Sequence, residues 1–298
     1  MSSKRFSRVY IEISNICNLQ CDFCPEVHRE KKVMSRDMFQ KVIAQVKDLT
    51  EEVTFHLMGE PMTHPDFFEF LKVCEENHVP VNLTTNGTLL KYPERAQKLL
   101  TPIIRQVNFS LQSFTSNFPE KDVMSYLAPI FEFTRRALEV RPDLYINYRL
   151  WNMGSREDTE MANQHFLKPI EAEFGYKLEA PVDVAFKKSR HVVGRLYLHF
   201  DSRFEWPTLQ APVSSESGYC YGLKSHFAIH ADGTVVPCCL DKEKGVDLGN
   251  ISALTVLEAL NSDRARHMRQ GFDQFKVCEE LCKRCTFIRR FDSKVPAI

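Results

Sequence analysis

The chain opens with an apolar alternation, Val9-Tyr-Ile-Glu-Ile13, and its first half then switches repeatedly between strand-like and helix-like patterns. Alternating or short apolar runs predict strands at Arg8–Ser14, Glu52–Met58, Pro80–Thr85, Arg105–Ser110 and Leu144–Leu150. Helical periodicity predicts helices between them, near Arg36–Leu49, Pro65–His78, Tyr92–Leu100 and Asp122–Val140. Repeated βα units of this length imply parallel strands joined by right-handed crossovers. A further helix over Arg156–Glu173 and a strand near Tyr176–Glu179 make a sixth unit. The predicted fold is α/β, a partial (β/α)6 TIM-like barrel rather than a closed eight-unit one. Its chemistry is expected at the C-terminal ends of the strands.

The pattern changes at about Pro181. Lys187, Lys188, Arg190 and Arg195 precede the alternation Leu196-Tyr-Leu-His-Phe200, and a Pro/Ser-rich stretch runs from Pro207 to Gly218. Residues 181–218 are expected to be a connector that contributes to a substrate site, with Arg190, His199, Asp201, Arg203 and Glu205 as its polar candidates. The remaining segments are a barrel over 1–180 and a small cysteine-bearing module over 219–298. No fixed-period repeat or low-complexity tract is present.

Composition narrows the class. Lys+Arg and Asp+Glu both count 39, so no global basic field directs the protein to nucleic acid or anionic membrane, although Lys283, Arg284, Arg289 and Arg290 make a local basic patch. The N-terminus lacks the apolar core of a secretory signal and no run is long enough to span a bilayer, so a cytoplasmic location is expected. In a reducing compartment ten cysteines call for an explanation other than disulfides. Cys17, Cys21 and Cys24 follow the first strand in a C-x3-C-x2-C run with Phe23 before the last thiol. Three thiolates suit an iron–sulfur cluster whose fourth iron has no protein ligand, and such an iron can bind a cosubstrate. With His28 four residues on, a Cys3His zinc site is also arithmetically available.

Further motifs fall at successive strand ends: Met58-Gly59-Glu60-Pro61, Leu83-Thr84-Thr85-Asn86-Gly87, Asn108-Phe-Ser110-Leu-Gln112, and Arg149 at the fifth strand. Asn86-Gly87 is equally what a tight turn uses. In the C-terminal module Cys220 is followed by Gly233, Cys238 and Cys239, then Cys282 and Cys285, in a C-x12-G-x4-C…C-x2-C pattern. Ala231-Asp-Gly-Thr234 reads as a hairpin turn. Four thiolates in two separated pairs also satisfy a zinc ribbon. Cys278 recreates C-x3-C-x2-C with Cys282 and Cys285, but no βα units follow it to hold a cosubstrate.

In combination, the two cysteine patterns resemble the radical S-adenosylmethionine superfamily with a SPASM or shorter twitch extension. That resemblance implies a [4Fe–4S] cluster on Cys17, Cys21 and Cys24, S-adenosyl-L-methionine on its open iron, and an auxiliary [4Fe–4S] cluster on Cys220, Cys238, Cys282 and Cys285. It implies cofactor contacts from Gly59, Glu60 and Pro61 to the amino group and from Thr85, Asn86, Ser110 and Gln112 to ribose and carboxylate. Arg149 would pair with the carboxylate and Phe23 would pack beside the adenine. Met58 stands where the superfamily motif has its first glycine, a departure that leaves Gly59-Glu60-Pro61 intact. The implied activity is reductive cleavage to a 5′-deoxyadenosyl radical and hydrogen abstraction from substrate. Dehydrogenation of a small molecule is the expected outcome; a peptide-modifying maturase or epimerase is the alternative. Cys239 and Cys278 are candidate hydrogen donors, and flavodoxin or ferredoxin is the expected kind of electron donor. A reading from another class is a non-catalytic zinc- or cluster-bearing adaptor.

Overall fold

A computed structural model describes residues 4–153, 156–177, 188–203 and 205–294. In chain order its elements are β1 (Phe6–Ile11), α1 (Arg36–Val46), β2 (Thr50–Phe55), α2 (Phe67–Glu76), β3 (Val81–Thr85), α3 (Pro93–Lys98), β4 (Ile104–Ser110), α4 (Gln112–Asn117), α5 (Met124–Val140), β5 (Tyr145–Met153), α6 (Arg156–Phe174), β6 (Ser189–Val193), β7 (Leu196–Ser202), β8 (His226–Ile229), β9 (Val235–Val236), α7 (Val256–Leu260), α8 (Asp263–Asp273) and α9 (Glu280–Lys283). They group into two compact units. One comprises residues 1–17, 25–80 and 204–298; the other comprises 18–24 and 81–203.

In the first unit the strand order is β2-β1-β8-β9. β1 pairs in parallel with both β2 and β8, with Arg8, Val9 and Tyr10 facing Glu52, Val53 and Thr54 on one side and His226, Phe227 and Ala228 on the other. β9 closes an antiparallel hairpin on β8. The turn between them is the Ala231–Thr234 turn expected from sequence, with Gly233 at φ +87°. Helix α1 is capped by Ser35, whose side chain accepts from Met38 N, and buries Phe39, Val42, Ile43 and Val46 at helical spacing. Phe39 stacks on Phe70 of α2 at 4.0 Å between centroids.

The first unit also holds a buried ion pair. Glu12, one residue past β1, is 1% exposed. Its two oxygens accept from both terminal nitrogens of Arg29 at 3.0 and 2.8 Å. Ala231 N donates to it from the hairpin at 3.3 Å, and Met58 N from the loop after β2. Arg29 Nε in turn donates to Lys242 O. One carboxylate thereby gathers the first strand, the segment after the cysteine loop, the glycine–glutamate motif and the C-terminal module.

In the second unit the order is β6-β7-β5-β4-β3, all parallel except the antiparallel edge strand β6. One face carries Leu83, Val107, Phe109, Ile146, Tyr148, Leu198 and Phe200, all buried. The other is polar, because successive side chains alternate. On it Asn108 Nδ2 donates to Asn82 Oδ1 (2.7 Å) and Leu83 O (2.9 Å), while Gln106 and Asn147 donate to Asn108 Oδ1. Fully bonded buried amides cost little and fix strand register.

The sixth parallel strand is β7, which pairs with β5. Of the strand expected near Tyr176–Glu179, Tyr176 and Lys177 lie outside any strand, and Leu178 and Glu179 lie outside the described residues. Leu196, Leu198 and Phe200 give β7 a period-2 buried face.

Removing one partner of the buried pair leaves the other charged and unmatched. Arg29→Met and Glu12→Ala are each expected to lower unfolding free energy by about 3–5 kcal/mol. Urea denaturation of the variants checks this, and a loss below about 1 kcal/mol would place the pair among ordinary surface bridges.

Candidate functional site

The glycine–glutamate motif is built by close backbone approach. Gly59 sits at φ +78°, and a Cβ there would lie 2.3 Å from Ser14 O and 2.9 Å from Ile16 O. No side chain fits. Glu60 N donates to Ile16 O at 3.0 Å, so the motif lies against the chain leading into Cys17. The Glu60 side chain is buried and its Oε1 accepts from Met62 N (3.1 Å), capping the short turn that begins at Pro61. Met58, the departure from the family pattern, packs with Leu57, Ala228 and Val236. A thioether filling this apolar cluster explains why a glycine is dispensable there.

In the second unit the cysteine loop is fastened to α4. Asn117 Nδ2 donates to Cys21 Sγ at 3.2 Å, Asn117 Oδ1 accepts from Gln20 N, and Ser116 Oγ accepts from Asp22 N. Arg203 Nη2 donates to Asp22 O, beside half-buried Phe23. Asn86 Nδ2 donates to Asn18 Oδ1 (2.9 Å), while Asn86 Oδ1 accepts from Thr88 N. Thr85 Oγ1 accepts from Gly87 N. Gly87 has φ +76°, and a Cβ there would meet Ile130 at 2.9 Å. Thr85 and Asn86 thus shape the turn and orient the loop.

At the next level of the polar face Ser110, Arg149 and His199 lie side by side in register across β4, β5 and β7. Arg149 Nη1 donates to Thr84 Oγ1 (3.3 Å), and its guanidinium lies 4.5 Å from the Trp151 ring centroid. Gln112 starts α4; its Oε1 is buried without a hydrogen-bond partner. A buried acceptor in that state fits a donor supplied by a bound group, such as a ribose hydroxyl.

Cys220, Cys238, Cys282 and Cys285 come together in the first unit. Burial pushes the Cys220 thiol up to about 11 and raises Cys238, Cys282 and Cys285 as well. Mutual repulsion adds to this: Cys238 feels Cys220 and Cys282, and Cys282 feels Cys220 and Cys285. Among the described residues no group of three or more His, Cys, Asp or Glu side chains is set to hold a single metal ion. Four half-buried thiols within electrostatic reach are nonetheless the donor chemistry of a four-iron cluster, whose iron would compensate the charge that desolvation penalises. None of the ten cysteines is in a disulfide. Cys17 and Cys24 are exposed.

The two candidate hydrogen donors part company. Cys278 is pressed on α8, with its Sγ 2.4 Å from where a Cβ on Gly271 would stand. Cys239 hydrogen-bonds Tyr10 of β1. Sequence reasoning passes over Glu12, Arg29 and Trp151. The sign of the first was a carboxylate inside an apolar strand; the sign of the last was its position two residues beyond Arg149 on one strand face. His28, the alternative zinc ligand, is exposed, and its backbone donates to Glu243.

With this geometry in place, comparison with known proteins identifies the chain. The radical SAM superfamily model matches residues 11–161, and an iron-sulfur cluster-binding domain model, SPASM, matches 220–286. The protein belongs to the radical SAM superfamily and carries a C-terminal SPASM domain. Its cofactors are accordingly a [4Fe–4S] cluster, an auxiliary cluster and S-adenosylmethionine. A GTP 3′,8-cyclase from Sulfurovum is 23% identical over 93% of this chain and 94% of its own length. The tungsten-containing aldehyde ferredoxin oxidoreductase cofactor-modifying protein of Pyrococcus furiosus is 33% identical over 86 residues, about a quarter of its length. The mycofactocin maturase MftC of Mycobacterium tuberculosis is 31% identical over 112 residues, covering 35% of this chain and 27% of that one.

Among solved structures, BtrN with AdoMet and 2-DOIA superposes with TM-score 0.60 at 16% identity, over 95% of this chain and 94% of that one. Streptococcus suis SuiB bound to S-adenosylmethionine gives 0.59 at 20% identity, over 89% and 68%. These matches carry the fold class, the partial TIM-like α/β barrel expected from sequence. No helix among the described residues is long and apolar enough to cross a membrane.

Replacing Gly59 by Ala should displace the Ser14–Ile16 carbonyls and weaken S-adenosylmethionine binding at least tenfold in calorimetry; unaltered affinity would mean the backbone there is not part of the site. A pH effect also follows. Burial holds His226 and His230 down to about 4 and about 3, against about 6.5 in the unfolded chain. In that window the unfolded chain binds more protons, so stability falls as pH drops from about 6.5 towards 4. Melting temperature across that range checks the sign, and His230→Gln should flatten the slope.

Proposed function

We propose that the chain is a radical S-adenosylmethionine oxidoreductase that removes two electrons from a small polar molecule. When bound, the first cluster and S-adenosylmethionine supply a 5′-deoxyadenosyl radical for hydrogen abstraction, and the auxiliary cluster supplies an electron acceptor. The observation that carries the reading is the set of four half-buried, mutually repelling thiols, Cys220, Cys238, Cys282 and Cys285. Four protein ligands leave no iron open, which suits electron transfer better than substrate ligation.

The remaining assignments are made residue by residue. Cys17, Cys21 and Cys24 hold the first cluster. Gly59, Glu60 and Pro61 receive the amino group of the cosubstrate, for which a carboxylate and close-set carbonyls are suited. Ser110, Gln112 and Arg149 face its ribose and carboxylate; Thr85 and Asn86 hold the loop in place; Phe23 lies beside the adenine. The substrate rests on the polar face of the second unit, whose amide ladder forms a hydrogen-bonded floor. We assign 1–180 to the barrel, whose sheet β6 and β7 of the 181–218 connector extend, and 219–298 to the cluster module, with a flavodoxin or ferredoxin as electron donor.

A second reading is peptide maturation. It is favoured by the sequence likeness to a PqqA peptide cyclase from Bradyrhizobium diazoefficiens (27% over 116 residues) and to the mycofactocin maturase.

Anaerobic reconstitution with iron and sulfide should load about eight irons per chain, two four-iron clusters. With dithionite and S-adenosylmethionine the product should include 5′-deoxyadenosine. Cys21→Ala should abolish its formation, and Cys282→Ala should remove the auxiliary cluster's electron paramagnetic resonance signal. A protein that holds zinc instead, or that carries both clusters yet never cleaves the cosubstrate, would be the adaptor rather than the enzyme.

A further inference from the structure

At the strand-end row of the second unit, one imidazole has its protonation dictated by a neighbour. Trp151 Nε1 lies 2.8 Å from His199 Nδ1. An indole nitrogen only donates, so His199 Nδ1 must present its lone pair, and the proton of the neutral ring sits on Nε2. Trp151 is itself held on its face by the Arg149 guanidinium. Burial, followed by Arg149 and Lys188, disfavours a second ring proton and brings His199 to about 4 against the opposing pull of Asp201. Among the described residues no group accepts from Nε2. His199 therefore offers a donor where a base would need a lone pair.

Neighbouring polar groups are committed elsewhere. Asp201 Oδ2 accepts from Lys188 Nζ at 2.9 Å, and its Oδ1 accepts from Ser202 N. Arg203 is bound to Asp22. What the row presents at His199 is one N–H donor beside the positive charge of Arg149, which Thr84 and Trp151 hold in place, and that charge favours an acceptor oxygen that is anionic.

We propose that Trp151 locks His199 as an Nε2–H donor that binds a carboxylate oxygen of the substrate, and that His199 is not the general base of the reaction. The proposal rests on reading this polar face as the substrate site. Trp151 is on this view a positioning residue: it sets the tautomer on one side and stacks with Arg149 on the other. The substrate class is an organic acid or the carboxylate-bearing part of a peptide.

The full chain, reconstituted anaerobically and labelled with 15N-histidine, tests this directly. At neutral pH His199 should show a lone-pair Nδ1 and a protonated Nε2 in long-range 1H–15N spectra. Sodium acetate, used as the probe against sodium chloride at equal ionic strength, should shift the Nε2–H resonance. Trp151→Phe should mix the tautomers. In a Trp206→Phe background, Trp151 fluorescence should report acetate binding that His199→Ala weakens about tenfold, the value of roughly one hydrogen bond to a charged group. His199→Gln, whose amide still donates, should recover most of it. A proton on Nδ1, a charged ring at neutral pH, or acetate affinity indifferent to His199→Ala would overturn the proposal. Failure of the wild-type chain to cleave S-adenosylmethionine would strike the functional reading while leaving the tautomer result standing, so the two are separable.

Discussion

A buried carboxylate just past the first strand is the constraint from which the first unit is organised. Glu12 stands one residue beyond β1, in a position that apolar alternation would give to a hydrophobic side chain's polar neighbour, and it is closed off from water. Burial raises its pKa and Arg29 opposes that rise, which makes the pair interdependent. Because its other partners are backbone N–H groups of Met58 and Ala231, the carboxylate acts as a template. The glycine–glutamate motif and the hairpin of the cluster module both take their position from it. Such a network contributes specificity more securely than net stability, since its desolvation cost is large.

The second unit solves a different problem. Its sheet presents apolar side chains on one face and amides on the other, so its polar face needs internal hydrogen bonds wherever water is absent. Asn82, Gln106, Asn108 and Asn147 meet that need among themselves. The groups one residue pair further along, Ser110, Arg149 and His199, are then held on a rigid base. Precise placement of reacting groups on strands rather than loops is what radical chemistry requires of its protein, because the reactive species itself comes from the cofactor.

Much of this was legible in the sequence, for physical reasons. The five early strands and the helices between them follow from periodicity, with ends that move by two or three residues: α1 stops at Val46, and β2 begins at Thr50. The Ala231–Thr234 turn and the grouping of the four module cysteines were readable because turn chemistry and ligand spacing are local. The sixth strand was not, since Leu196–Ser202 follows a run of basic residues that looks like a linker, and its pairing with β5 is long-range. Glu12 and Arg29, 17 residues apart, likewise meet only through folding. The side chains of Thr85 and Asn86 also hydrogen-bond within the turn, which their motif alone does not reveal.

The parallel pairing of β8 on β1 carries one more consequence. Sequence comparison treats the N-terminal and C-terminal regions as separable parts, yet the second supplies the neighbour that β1 has on its side opposite β2. A version of the protein trimmed of its last eighty or so residues would leave that strand's backbone groups unpaired, a sticky margin prone to aggregation. Swapping this region among relatives is therefore a matter of matching a seam, not of exchanging an appendage.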